Sequence, residues 1–197
     1  MSTIDFYNNK SSELIQRYDN AEMSSLHKLL STYIPMKSKV LDIGFGSGRD
    51  LQYLHDNNYD IWGIDPSQSF VENAKERFTD KRNQFFEASL PFEKNLFELT
   101  KFDAVISIAV WMHLKLQNYP EAVKNIINVS KPDSMIIISY SEGLRAEEDG
   151  RYFENVNLDY LCELFSNKGF NLIETVKNED GLSRGSLTWV TVIFKHD

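Results

Sequence analysis

Three alternating glycines and two acidic residues carry the clearest chemical signal in the chain. Gly44, Gly46 and Gly48 follow an apolar run that contains Asp42. Glycine adopts positive φ without steric cost and lets a backbone approach a ligand closely, so this spacing predicts contact between main chain and a bound molecule. Asp65 stands twenty-one positions after Gly44 and closes a second apolar run. In a βαβ unit an acidic side chain at that distance can hold ribose hydroxyls, which predicts a site for an adenosine-like ligand.

The carboxylate of Asp42 separates two kinds of ligand for this loop. A pyrophosphate requires an open helix N-terminus and the fingerprint G-x-G-x-x-G, but here Arg49 takes the last position and the third glycine comes one residue early, at Gly48. Asp42, just before the turn, would repel a pyrophosphate. It favours a ligand that carries an ammonium and a sulfonium, because opposite charges attract at close range. A nicotinamide dinucleotide is the last-ranked alternative.

Strand and helix patterns alternate around these residues. From residue 39 onward, short apolar runs alternate with segments whose apolar residues repeat at helical spacing. The run from 102 to 110 is nearly all apolar, which is typical of a central parallel strand buried on both faces. The last strands, 170–176 and 187–194, have no helix between them and must pair antiparallel. We predict an α/β fold with a doubly wound, mostly parallel seven-stranded sheet and a C-terminal antiparallel strand.

The N-terminal segment differs from this alternating pattern. Residues 1–35 contain no glycine and show two helical patterns that end before Pro35. We predict an N-terminal helical cap that covers one edge of a core formed by residues 36–197, within a single domain of 1–197. Tyr7 and Tyr18 of the cap are candidates to close over a bound ligand, although aromatic residues on amphipathic helices more often pack in the core.

Several candidate segments fall at the same edge of the predicted sheet. Ligands in such sheets bind at the carboxyl ends of the strands, beside the point where the strand order reverses. Residues 42–48, Asp65, Glu87 with Ala88, and the segment 107–113 all follow or end a strand. Their convergence supports a ligand site more strongly than the glycines do alone.

Charge and composition narrow the range of partners. Lys and Arg total 21 against 29 Asp and Glu, and the formal charge of −8 would repel a phosphate backbone, so we expect no nucleic-acid partner. The first residues show no basic segment followed by an apolar core, and no apolar run approaches the length of a membrane span. We therefore expect a soluble, cytoplasmic protein with no membrane partner.

Cysteine and histidine usage gives little support for a metal or redox centre. Cys162 is the only cysteine, which excludes an internal disulfide framework and a CxxC motif. The four histidines are scattered, without H-x-x-x-H spacing. We therefore expect no metal ion at the site.

Taken together, these motifs resemble the class I S-adenosylmethionine-dependent methyltransferases, from about Tyr33 to Phe194. Four motifs carry the resemblance. Asp42–Gly48 is similar to the family's glycine-rich first motif, and Gly63–Ser67 is similar to the second. Glu87-Ala88, followed by Leu90–Phe92, resembles the adenine-side loop, and Phe102–Ser107 with Trp111–Leu114 resembles the fourth-strand signature of the small-molecule branch. The resemblance implies a Rossmann-like core with a terminal antiparallel strand, and S-adenosylmethionine as the cofactor.

The resemblance also implies roles for individual residues. Asp42 and the backbone of the glycines would hold the methionine part of the cofactor, with the main chain of Ile108 beneath it. Asp65 would hold the ribose hydroxyls, and Glu87 with the Ala88 N–H would read the adenine edge. The implied cofactor-binding residues are Asp42, Gly44, Gly46, Gly48, Asp65, Glu87, Ala88 and Ile108.

Methyl transfer is an in-line displacement in which the protein mainly supplies proximity, alignment and desolvation. A general base can assist when the acceptor is a hydroxyl, an amine or a thiol. His113, just after the fourth strand, is the best-placed candidate by sequence. A hydrogen-bonded structural histidine is an equally good interpretation of the same residue.

The acceptor is only partly constrained. The resemblance implies a small molecule, and Ile108–Trp111 stands where enzymes of this fold that methylate nucleic-acid amino groups carry Asn/Asp-Pro-Pro-Tyr/Phe. Arg145, Arg151 and Arg184 lie in polar loops that could face a carboxylate or phosphate, although solvated surface charge is more common. Two rivals stay open: a non-catalytic S-adenosylmethionine-binding sensor or partner protein, and an RNA or protein methyltransferase, which a basic patch around 141–157 would indicate. A monomer and a homodimer are both compatible with the sequence.

Overall fold

The computed structural model describes residues 2–143, 150–179 and 187–196 of the chain. Its α-helices are α1 (Thr3–Asp19), α2 (Ser24–Tyr33), α3 (Arg49–Asp56), α4 (Gln68–Arg77), α5 (Tyr119–Val129) and α6 (Leu158–Ser166). Its strands are β1 (Lys39–Ile43), β2 (Asp60–Asp65), β3 (Phe85–Glu87), β4 (Phe102–Ile108), β5 (Ser130–Glu142), β6 (Phe170–Glu179) and β7 (Thr188–His196). Arg145 and Arg184 lie outside the described residues, as do residues 144–149 of the predicted polar loop 141–157.

The strands form one seven-stranded sheet in the order β3-β2-β1-β4-β5-β7-β6. The first five run parallel, and β7 pairs antiparallel with both β5 and β6. The predicted fold class is therefore confirmed. The strand order reverses between β1 and β4, so the carboxyl ends of these two strands flank the crevice in which ligands bind in open α/β sheets.

Apolar residues cover both faces of the sheet. Leu41 and Val105 belong to the core cluster on one face, whereas Val40 and Ala104, their neighbours along the strands, belong to the cluster on the other. All four are fully buried. This explains why β1 and β4 read as continuous apolar runs rather than as alternating ones.

The strand and helix ends follow local signals with few exceptions. The Ser67 hydroxyl accepts from the N–H of Phe70 and caps α4, and the Asn157 side chain accepts from the N–H of Tyr160 and caps α6. Strand β5 begins earlier than its apolar run, because Ser130 pairs with Phe102 before a shift in register.

No described helix is both long and apolar enough to cross a membrane.

Helix α1 packs against α4. The Ser67 hydroxyl donates to the Asn8 side-chain oxygen over 2.7 Å, and the N–H of Tyr152 donates to the Thr3 hydroxyl over 2.9 Å. Leu14 is the only fully buried residue of α1. Phe6, Tyr7 and Tyr18 are half-buried and pack against the same core cluster as Leu14, so the helix is attached to the core by both polar and apolar contacts.

Candidate functional site

A cavity of about 450 Å³ lies at the carboxyl ends of β1 and β4, within the size range of small-molecule sites. The loop after β1, the end of β2 and the segment after β4 each contribute to its wall. The remaining wall includes residues of α1, the link between α1 and α2, and Arg151. Three of the segments that the sequence places at this edge of the sheet therefore meet around one cavity.

The three glycines of the loop after β1 all adopt positive φ: +76° at Gly44, +55° at Gly46 and +81° at Gly48. A Cβ at Gly44 would lie only 2.3 Å from Cγ2 of Val110, whereas one at Gly46 would meet nothing within 4 Å. Glycine is therefore required at position 44 both by the backbone conformation and by the close approach of Val110, in the segment after β4.

The N–H groups of these glycines already have partners within the protein. Gly44 donates to the Ile64 carbonyl over 2.7 Å, and Gly48 donates to the Phe45 carbonyl over 3.0 Å. Gly46 donates to the Asp65 carboxylate over 2.9 Å. A phosphate-binding loop would instead direct such N–H groups at its ligand. This arrangement supports the interpretation that the loop does not bind a pyrophosphate.

Asp42 is the most unusual charged residue of the site. It lines the cavity and is 2 % exposed, and among the described residues no donor reaches its Oδ1 atom. Burial raises the pKa of Asp42 well above its usual range, and repulsion from Asp50 and Asp65 adds to the effect, while Arg49 opposes it. A cationic ligand would supply the missing partner, so the residue fits the ammonium of S-adenosylmethionine.

Asp65 also lines the cavity. Its Oδ1 accepts from the N–H of Ser67 over 2.8 Å, and its Oδ2 accepts from Gly46 over 2.9 Å. Burial raises the pKa of Asp65 to about 6, and these two hydrogen bonds counteract part of that rise. Each oxygen keeps a further lone pair. The carboxylate can therefore accept hydrogen bonds from a diol, and its ribose role stays a prediction.

The remaining predicted cofactor residues differ in their placement. Ile108 lines the cavity, whereas Gly48, Glu87 and Ala88 do not. Glu87 is exposed, and the N–H of Ala88 already donates to the Asp65 carbonyl over 3.1 Å. The structure does not bring Glu87 and Ala88 to the cavity, and their adenine role stays a prediction.

A charged network beside the glycine loop was not predicted from the sequence. Arg49 donates to both carboxylate oxygens of Asp50, over 3.0 and 2.8 Å, and Nε2 of His27 lies 2.8 Å from Oδ1 of Asp50. Burial alone would raise the pKa of Asp50, but the Arg49 guanidinium and the His27 contact hold it well below its usual range. The network joins α2 to the first turn of α3. His27 gives no sequence signal for this, since it lies on a separate helix.

Ala109, directly after β4, has a left-handed backbone with φ of +65°. Its N–H donates to the Ser139 carbonyl over 2.8 Å, which helps to hold this conformation. Non-glycine residues with positive φ are strained and are often found at functional sites. The residue lines the cavity between Ile108 and Val110.

His113 lines the cavity, and each of its ring nitrogens has a hydrogen-bond partner. Its Nδ1 lies 2.7 Å from the Tyr152 carbonyl oxygen, which can only accept, so we assign the proton to Nδ1. Nε2 lies 3.1 Å from the Tyr7 hydroxyl and then accepts from it. Burial raises the pKa of Tyr7 to about 12, so this hydroxyl keeps its proton. The basic nitrogen of His113 therefore faces Tyr7, on the N-terminal helix.

Arg151 completes this side of the cavity. Its guanidinium carbon lies 4.5 Å from the ring centre of Phe6 and 5.1 Å from that of Phe153. The guanidinium also interacts with the Tyr7 hydroxyl and lowers its pKa relative to burial alone. Of the three polar-loop arginines named in the sequence analysis, Arg151 is the one that the structure describes.

Among the described residues, no three His, Cys, Asp or Glu side chains cluster as metal ligands would.

Comparison with known proteins gives a consistent result. An uncharacterized methyltransferase of Staphylococcus carnosus is 24 % identical over 183 residues, which cover 86 % of this chain and 83 % of that protein. The 1,6-didemethyltoxoflavin N1-methyltransferase of Burkholderia thailandensis, solved with S-adenosylhomocysteine, superposes with a TM-score of 0.79 at 16 % identity over 98 % of this chain and 86 % of its own. Magnesium protoporphyrin IX methyltransferase of Synechocystis PCC 6803 has a TM-score of 0.74 at 14 % identity, over 98 % and 97 % of the two chains.

At such identities the two solved structures establish the fold alone. The family is established by sequence: residues 15–175, well over half of the chain, match the family described as Methyltransferase domain. The resemblance on which the prediction was based is confirmed. The chain belongs to the methyltransferase-domain family, and it is a class I S-adenosylmethionine-dependent methyltransferase.

Proposed function

We propose that the protein transfers a methyl group from S-adenosylmethionine to a small-molecule acceptor by in-line displacement. The observation that carries the proposal is the Oδ1 atom of Asp42, a buried carboxylate oxygen on the cavity wall with no donor among the described residues. A buried charge without a partner is costly, which is why a cationic ligand at this position is favoured.

S-adenosylmethionine, when bound, supplies an electrophilic methyl group on a sulfonium. For the binding residues we propose the roles that the sequence predicts. Asp42 accepts from the ammonium, the backbone from Gly44 to Gly48 lies against the methionine part, and Asp65 accepts from the ribose hydroxyls. The attraction between Asp42 and a cationic ligand is strong, because both groups are removed from water.

We propose that His113 receives the proton of the acceptor through Tyr7. The Tyr7 hydroxyl donates to Nε2 of His113. As the hydroxyl proton moves to Nε2, the Tyr7 oxygen can accept a proton from the acceptor. The Tyr152 carbonyl accepts from Nδ1 and stabilises the imidazolium that forms. This assignment combines the two interpretations of His113, since the residue is both hydrogen-bonded and basic.

A small-molecule acceptor is supported by the cavity and by the charge of the chain. About 450 Å³ accommodates a small ligand rather than a polymer, and a net charge of −8 disfavours a nucleic acid. The names of the two solved neighbours state small-molecule acceptors, a didemethyltoxoflavin and a magnesium protoporphyrin. The cavity wall also continues beyond the glycine loop to His113 and Arg151, which favours a transferase over a cofactor sensor.

Calorimetry with S-adenosylmethionine and S-adenosylhomocysteine tests the cofactor. We expect both to bind in the micromolar range, and the absence of binding at high micromolar concentrations would contradict the proposal. A screen of acceptor metabolites with methyl-labelled cofactor then tests turnover. A protein that binds the cofactor but transfers no label to any member of a broad panel would instead support the sensor.

A further inference from the structure

The cavity continues from the end of β4 onto the neighbouring strands of the sheet. The strand order places β5, β7 and β6 beyond β4, away from β1 and β2, which carry Asp42 and Asp65. We use the term floor residues for the described cavity residues of these three strands, which are Ser139, Asn178, Trp189 and Thr191. This inference rests on the proposed function, in which the residues of β1 and β2 hold the cofactor and the acceptor binds beyond it.

Ser139 and Thr191 lie on the same face of the sheet as the predicted cofactor residues. Ser139 pairs with Ile108 of β4 and with Thr191 of β7. Neighbouring strands are about 4.8 Å apart, so Ser139 lies about 5 Å and Thr191 about 10 Å beyond Ile108 across the sheet. Asp42 pairs with Ile106, two residues before Ile108. Because paired residues direct their side chains to one face, Asp42, Ser139 and Thr191 share that face.

Ser139 and Thr191 form a buried hydroxyl pair. The Thr191 hydroxyl donates to the Ser139 hydroxyl over 3.1 Å, and the two residues are 2 % and 4 % exposed. Hydroxyl protons rotate, so the two groups can exchange roles, but one O–H proton of the pair always lacks an acceptor among the described residues. Water in the cavity can serve as that acceptor. A ligand that displaces the water loses affinity unless it offers the same hydrogen bonds.

The hydroxyl pair begins where the apolar core ends. Two residues away along the same strands, Ile137 pairs with Ile193, and both are fully buried in the core. A hydroxyl pair between two strands can stabilise a sheet without any ligand. Here, however, the hydroxyl pair lines the cavity and the isoleucine pair does not. This coincidence supports a role of Ser139 and Thr191 in ligand recognition.

We propose that the methyl acceptor carries an uncharged amide or lactam group, and that the Ser139–Thr191 pair binds this group. In the arrangement described, Ser139 donates its spare proton to the carbonyl oxygen of the amide, and Thr191 accepts from the amide N–H. An ionised group is a poorer match, because the floor residues are all uncharged and none would neutralise it. A site with buried hydrogen-bonding groups discriminates strongly against a substrate that lacks the matching group. The pair therefore acts as a specificity determinant.

The binding test compares three probes of nearly the same shape on protein saturated with S-adenosylhomocysteine. Benzamide has a carbonyl oxygen and an N–H, acetophenone keeps only the carbonyl oxygen, and α-methylstyrene has neither. Because the probes also differ in hydration, the measured quantity is the affinity ratio of benzamide to α-methylstyrene and its change in a variant. We expect the double variant Ser139→Ala/Thr191→Val to lower this ratio at least about tenfold, since two hydrogen bonds are lost. The ratio of acetophenone to α-methylstyrene should fall less.

Control variants separate the hydroxyl pair from a general effect on the sheet. Ser134→Ala removes another buried hydroxyl of β5, one that has no partner among the described residues and does not line the cavity, and it should leave the ratio unchanged. Circular dichroism and the affinity for S-adenosylhomocysteine check each variant. Where the double variant does not fold, Ser139→Ala and Thr191→Val decide the question, each with an expected fall of about threefold. No measurable binding of benzamide, or an unchanged ratio in the folded variants, would overturn the proposal.

A turnover measurement separates this proposal from the one on which it rests. Hydroxy-, amino- and mercapto-substituted benzamides are compared with the corresponding acetophenones as acceptors of labelled methyl groups. We expect the benzamides to react with the lower KM, and Thr191→Val to raise that KM about threefold while the affinity for S-adenosylhomocysteine stays unchanged. The binding ratio decides the proposal even where no probe is methylated. A wild-type protein that does not bind S-adenosylhomocysteine would contradict the proposed function itself, whereas equal KM values for the two series would contradict only the amide.

Discussion

The two sides of the cavity are built in different ways. The side that we assign to the cofactor consists of strand ends and the turns that follow them, within one sheet whose central strands are buried on both faces. The side that we assign to the acceptor combines α1 with residues 111–113 and 150–157. The first side depends mainly on backbone geometry, and the second depends on contacts between side chains far apart in the sequence.

The two sides also differ in how their polar groups are satisfied. On the cofactor side, Asp42 has an oxygen without a donor among the described residues. On the acceptor side, Tyr7 and the two nitrogens of His113 already have partners. The comparison suggests that a ligand completes the first side, whereas it must compete with existing contacts on the second. The following predictions test this contrast, beginning with the largest effect.

The backbone of the cofactor side should tolerate the least change at Gly44. We expect Gly44→Ala to lower the free energy of unfolding by about 4 kcal/mol, because left-handed strain adds to the clash with Val110. Gly46→Ala is the matched control, since it adds strain without a clash and should cost about 1 kcal/mol. Urea unfolding measures both. Equal losses would show that the contact with Val110 is unimportant.

The stability of the ligand-free protein should depend on the ionisation of Asp65. Its pKa is raised from 3.8 to about 6, so the folded state holds the proton more tightly than the unfolded state does. Asp65 therefore adds to the free energy of unfolding below about pH 4, and this contribution is lost as the pH rises to about 6. The change amounts to up to about 3 kcal/mol. The measurement is the difference in unfolding free energy between wild type and Asp65→Asn across this range. A difference that does not vary with pH would contradict the assignment.

Asp42 should affect stability and binding in opposite directions. We expect Asp42→Asn to weaken binding of S-adenosylhomocysteine by about 2 kcal/mol, because a charge-assisted hydrogen bond to the ammonium is lost. Without ligand, the same variant should be at least as stable as the wild type, because a buried charge without a partner has been removed. Ser107→Ala is the control, since its buried hydroxyl also lacks a partner among the described residues but does not line the cavity. Calorimetry that finds equal affinities for both variants would refute the ammonium role.

On the acceptor side, Tyr7→Phe should have a small effect on folding and a clear effect on turnover. The lost hydrogen bond to His113 should lower the free energy of unfolding by about 1 kcal/mol. We expect kcat to fall by at least about tenfold while the affinity for S-adenosylhomocysteine is unchanged. Tyr33→Phe, at a half-buried cap residue that does not line the cavity, is the control. Full turnover in Tyr7→Phe would remove the tyrosine from the proton path.

The same contrast explains how far the sequence could be interpreted. Periodicity, glycine spacing and helix caps are local signals, and they predicted the sheet, the loop after β1 and the presence of Asp42 and Asp65 at its edge. Tyr7 meets His113 across 106 positions, and Thr3 meets Tyr152 across 149. No local pattern encodes such a pair. The sequence could therefore name His113 and Arg151 as candidates but could not join them through Tyr7.

Ala88 illustrates a different limit. The family resemblance assigns its N–H to the adenine edge, whereas in the structure this group bonds to the carbonyl of Asp65. A motif indicates which residues stand near a ligand, but it does not describe the hydrogen bonds that those residues make without one.

The attachment of α1 has a kinetic consequence. Its contacts with the rest of the site include three side-chain hydrogen bonds, made by Thr3, Tyr7 and Asn8. Segments with few buried apolar residues open locally at a much lower free energy than the whole fold. Amide hydrogens of α1 should therefore exchange faster than those of β1 and β4. If molecules enter and leave past this helix, their residence time is set by how long the contacts of α1 with the core last, rather than by the lifetime of the sheet.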